Sequence, residues 1–194
     1  MSSDLEQARR EITASSAANA PFIAAFALTL GATGLIAFRL PARDGALLLL
    51  FQGMVAIPLA ALLQRRLAWG RLPAGNPLRP LQSQIAAAQL VGMPAVLIAW
   101  AAVPWAAGAV LASVAAAHLM PYAWLHRSRV YLWLGPAVSI GTAAIVIVAR
   151  EAALPWSVLA MAAAYAVAAA LLLRHARDLA AADGAAPRGP LTEG

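Results

Sequence analysis

Cysteine is absent from the chain, and so is lysine. Without cysteine there is no disulfide, no thiolate nucleophile and no cysteine-ligated metal or cluster. Charge of either sign is scarce: Asp, Glu, Lys and Arg make up 11% of 194 residues, against about 25% in a soluble domain. So few charges cannot cover a water-facing surface of this size, whereas the hydrocarbon of a bilayer asks for none. A third absence is positional. Six apolar runs, 20–38, 46–64, 83–103, 106–125, 131–149 and 156–173, hold no Asp, Glu or Arg. They also lack the polar outer face of a soluble helical bundle.

These absences exclude whole classes of chemistry. Ion-coupled transporters usually place a carboxylate at depth. A zinc protease needs His-Glu-x-x-His on one helix, and none occurs. Ser113 sits in "VLASVAA", without the glycines that set up an intramembrane serine nucleophile, and no helix carries paired aspartates. Two histidines about 12 Å apart along one helix, His118 and His126, cannot share a metal ion. The third, His175, falls beyond the last apolar run.

What is present is apolar and basic. The chain is 62% hydrophobic, with mean hydropathy +0.75 and net charge +6. At 1.5 Å per residue each apolar run reaches across a core of about 30 Å. The expected fold is all-α: six transmembrane helices over 20–173, preceded by a polar segment (1–19) and followed by a cytoplasmic tail (174–194) expected to be disordered. The polar segment reads as a short amphipathic helix, with Ser3 and Glu6 at capping-box spacing, or equally as a solvated tail.

The arginines set the orientation. Arg9, Arg10, Arg65, Arg66, Arg71, Arg79, Arg127, Arg129, Arg174, Arg177 and Arg188 fall on one side; only Arg39, Arg43 and Arg150 fall on the other. Both termini are therefore expected in the cytoplasm. Basic residues lying between apolar runs suit lipid and topology rather than nucleic acid. "AAVPW" (101–105) and "AALPW" (152–156) echo each other at the outer turns. Pro in a first helical turn and Trp at an interface explain them without an internal repeat.

The stretch "HLMPYAWLHRSRVYLWLGP" (118–136) concentrates the chemistry. His118, Tyr122 and His126 share one helix face by their spacing. Helix rise places His118, Thr29, Gln89, Ser139 and Tyr165 all about 9–13 Å from the inner boundary. With Tyr122 they form a candidate polar layer for binding a small neutral or anionic molecule. The alternative is interhelical hydrogen bonding, worth about 0.6 kcal/mol per bond, with no ligand. His126, Arg127 and Arg129 beside Trp124, Tyr131 and Trp133 read as an interface belt or an anionic-lipid headgroup site. Arg65, Arg66 and Trp69 do the same on the 64–82 loop.

The layout of six runs, together with the "MPYAW" element at 120–124, resembles small bacterial integral membrane proteins of unknown function. That resemblance implies a bacterial inner-membrane location and no particular activity. The expected partners are the bilayer and its anionic lipids, with small-residue faces that also suit a homo-oligomer. No cofactor or metal is implied. Ligand binding or transport at His118 leads; an accessory subunit without a ligand and a lipid-modifying enzyme are the rivals.

Overall fold

The computed structural model describes residues 2–67 and 72–182. Trp69, Arg71 and the tail from 183 lie outside the described residues, as does the side chain of Ser3. Among the described residues every regular element is helical: α1 (Ser2–Ser16), α2 (Ala20–Ala37), α3 (Ala42–Leu67), α4 (Arg79–Ala102), α5 (Ala107–Leu125), α6 (Arg129–Ala149) and α7 (Ala153–Ala182). Single turns of tighter helix join α1 to α2, α4 to α5 and α6 to α7.

Among the described residues five helical stretches are long and apolar enough to cross a membrane, where the sequence predicts six. The difference lies at the end of the chain. Runs 131–149 and 156–173 fall within one stretch, Arg129–Ala181, because α6, the single tight turn at 150–152 and α7 follow one another without a gap. Arg150 bends that turn with φ 48° and ψ −120°, so α6 and α7 pack against each other. At the other end of the sequence, α1 and α2 join into a stretch from Asp4 to Ala37. α7 also continues past the expected boundary at 173, to Ala182.

α7 is the hub. It packs along α2 and α6 and touches α5. α2 pairs with α3, and α5 pairs with α6 and with α4, while α3 and α4 meet only lightly. Small residues permit the close approaches. A Cβ at Gly135 would stand 3.1 Å from the Ala116 carbonyl, and one at Gly92 would stand 2.4 Å from Val114 Cγ1. Pro58, Pro94, Pro121 and Pro136 lie in helix interiors, beyond the first turn; apolar packing tolerates them. Large apolar side chains on the outer helices face outward, among them Met54, Val91, Ile98, Ile140 and Val148. A belt of this kind suits lipid rather than water.

Two ends can be told apart by their contacts. At one, α1 reaches Asn76, His126 and Arg127, and His175 near the end of α7 bonds the His126 carbonyl. At the other, Arg43 lies over Trp100 and Phe38 packs edge-on against Trp156. Arg9 and Arg127 mark the first end, called the arginine-rich end below after the sequence bias, and Arg43 marks the arginine-poor one.

Candidate functional site

A groove of about 990 Å³ runs along the outward face of α5, between α4 and α6. Its α5 wall extends from Ala106 to Pro121, about 22 Å of helix. Its lining is apolar except for Gln84, Ser113 and His118, and no charged residue contributes. Val91 and Ile147, on its flanking helices, are 84% and 74% exposed, so the groove is open along its side. Gly92 lines it too and lets α4 lie close to α5 there.

The three polar groups are not equivalent. Ser113 Oγ is 2.9 Å from Ser139 Oγ and also donates to the Ala109 carbonyl at 3.0 Å, so it is occupied within the protein. Gln84 is exposed near the arginine-rich end. His118 stands between them, its ring edge-on to Tyr122 at 6.3 Å. Its Nδ1 is buried, and the ring is within backbone hydrogen-bonding reach of Val114 and Ala115 on the preceding turn.

The expected polar layer does not assemble as one unit. Thr29 Oγ1 turns to Gln52 Oε1 at 2.7 Å, tying α2 to α3. Ser139 is taken by Ser113. Gln89 is half-buried on α4 and Tyr165 is buried on α7, and neither lines the groove. Helix rise fixes depth but not direction, so residues at one level can face different neighbours. Of the six candidates, only His118 and Tyr122 are in ring contact with each other.

From His118 a column of rings descends to the arginine-rich end. Tyr122 stacks on His126 at 5.6 Å with 12° between planes, and Tyr131 lies 5.6 Å from Tyr122 and 5.9 Å from His126. His126 is 0% exposed. It is covered by α1 rather than turned outward, unlike the headgroup position expected from depth. Thr13 Oγ1 lies 3.3 Å from its Nδ1, and Tyr131 donates to the Ala18 carbonyl at 2.8 Å.

The polar side of α1 holds this cover in place. Arg9 lies over the Trp124 ring at 4.7 Å and donates to the Trp124 carbonyl. Glu6 pairs with Arg9 at 3.2 Å and with Arg127. Asn76 donates to the Ala8 carbonyl at 3.0 Å and to Glu11 at 2.8 Å. Arg127 can reach Glu6 because it takes the left-handed position after α5, φ 52°, with Ser128 N–H closing back on the Ala123 carbonyl at 3.1 Å. That is the helix-ending turn in which glycine is usual. Of the basic residues expected at headgroups, Arg127 is committed to Glu6, while Arg129, Arg65 and Arg66 are exposed.

Sequence reasoning missed Thr13, Asn76 and Glu6. Their partners lie 113, 65 to 68 and 121 residues away respectively, and no local pattern signals such pairs.

The fold and the groove together define a class: an all-helical bundle whose helices are apolar enough to cross a membrane. Within that class the chain belongs to DUF7010, a family of unknown function whose model matches residues 5–175. No curated protein and no solved structure matches it.

Proposed function

We propose that the chain is an integral membrane protein of six crossings that binds an elongated, neutral, lipid-soluble molecule in the α4–α5–α6 groove. Six crossings follow from taking α6 and α7 as two passes joined at Arg150. The alternation of arginine-rich and arginine-poor ends favours this, and by the same bias the arginine-rich end faces the cytoplasm.

The observation that supports the ligand reading is the trough itself, apolar along its length with the imidazole of His118 on its wall. A ligand hydroxyl or carbonyl could hydrogen-bond to that imidazole. The groove offers no charge to neutralise an anion or a cation, so the hydrogen-bonding group of the ligand is neutral. Length, lateral openness and apolar walls suit a chain entering from the bilayer.

The test is thermal unfolding of the purified protein with farnesol and with the matched hydrocarbon farnesane. Farnesol should raise the midpoint of the wild-type protein, and His118→Leu should abolish most of that gain. Equal stabilisation of both proteins, or none with either compound, contradicts the reading.

A further inference from the structure

We propose that α1 is a latch on the arginine-rich end of the bundle, released when His126 takes up a proton. This goes beyond the groove reading and stands without it.

The network assigns the proton on the imidazole. Thr13 has one hydroxyl hydrogen, and it goes to the Arg9 carbonyl at 2.9 Å. Toward His126 the Thr13 oxygen is therefore an acceptor, and Nδ1 carries the hydrogen. Nε2 is then a bare lone pair, buried and without a partner. A proton arriving there would create a charged donor with no acceptor, in a pocket closed to water. Such a group is costly to keep inside.

The surroundings add to that cost on every side. From α1, Arg9 brings a positive charge; from α7, His175 approaches the His126 carbonyl at 3.1 Å; Tyr122 on α5 and Tyr131 on α6 cover the ring. The carboxylates nearby are engaged elsewhere, Glu6 with Arg9 and Arg127 and Glu11 with Asn76. Burial first, then His175 and Arg9, push His126 down to about 3 from its ordinary 6.5.

The element that can yield is α1. It is joined to α2 by three successive left-handed residues, Ala17, Ala18 and Asn19, with φ of 47°, 53° and 58°. Two of these are alanines, for which the left-handed conformation is unfavourable. The docked geometry is thus held by the α1 contacts against backbone strain, and release relaxes it. Releasing α1 also opens the pocket around His126 to water.

The absence of cysteine makes the test direct. Ala8 on α1 is buried against the bundle, whereas Ser83 on α4 is exposed. Ala8→Cys and Ser83→Cys are made singly in the full chain, reconstituted in nanodiscs, and labelled with a membrane-impermeant methanethiosulfonate. Taking the rate at 8 relative to that at 83 removes the reagent's own pH dependence. The ratio should rise about 100-fold between pH 7.5 and 4.5, tenfold per unit below 6.5. Adding His126→Asn, whose amide can replace the Nδ1 donor but does not titrate, should flatten the profile. Ser16→Cys, a near-isosteric change at a second buried α1 position, repeats the measurement if Ala8→Cys perturbs docking. A ratio independent of pH in the wild-type background, or unchanged pH dependence with His126→Asn, overturns the latch.

Discussion

The hydroxyl of Thr13 meets Nδ1 of His126 at 3.3 Å, across 113 residues of sequence, with both side chains buried. This contact joins the first helix to the turn between α5 and α6. Thr13→Val keeps the shape, deletes the acceptor and strands a buried N–H. It should destabilise the protein by about 1–3 kcal/mol, and Thr13→Ser, which keeps the oxygen, should cost less. Thermal unfolding of the two variants in detergent compares them.

The same imidazole makes stability depend on pH. In the unfolded chain His126 titrates near 6.5, while in the folded chain it stays neutral down to about 3. Between those values the unfolded state holds the extra proton. Its contribution to stability is therefore complete above pH 6.5 and is lost progressively as pH falls toward 3. Denaturant midpoints measured from pH 7.5 to 4.5 should fall in the wild type, with a shallower slope in His126→Asn.

Two glycines on neighbouring helices should respond oppositely to alanine. At Gly92 the added methyl meets Val114 at 2.4 and 2.8 Å, while at Gly53 nothing lies within 4 Å. Gly92→Ala should cost about 1–3 kcal/mol through overpacking and force α4 away from α5. Gly53→Ala should be neutral or gain up to about 1 kcal/mol from helix propensity. Parallel unfolding curves distinguish them.

Arg150 is exposed and holds φ 48°, ψ −120°, a region that glycine occupies without strain. No hydrogen bond or ion pair of its side chain enters the packing described above. Arg150→Gly should raise stability by about 1 kcal/mol, read as a higher unfolding midpoint with unchanged helical content.

Much of the fold could be read from the sequence, because apolar runs without charges leave the backbone no alternative to helix in hydrocarbon. Those runs did not reveal how α6 passes into α7, through one tight turn at 150–152 that Arg150 bends with no intervening loop. Of the candidate layer, the sequence marked His118 by its isolation in an apolar run, and the structure puts it on the groove wall. The polar layer predicted around it dispersed into Thr29–Gln52 and Ser113–Ser139 pairs, because azimuth depends on which helices become neighbours. His126 was placed at the surface by depth alone; what buries it is α1, held by contacts to Thr13, Arg9 and Glu6 that only tertiary structure creates.

The most direct test of the central claim is a density map of the protein in lipid nanodiscs, examined along the outward face of α5. Expected are six rods crossing the bilayer and an elongated non-protein density between α4 and α6, passing within hydrogen-bonding distance of the His118 ring. A groove closed by α4 resting on α6, or filled by a helix from a second copy of the chain, would contradict it.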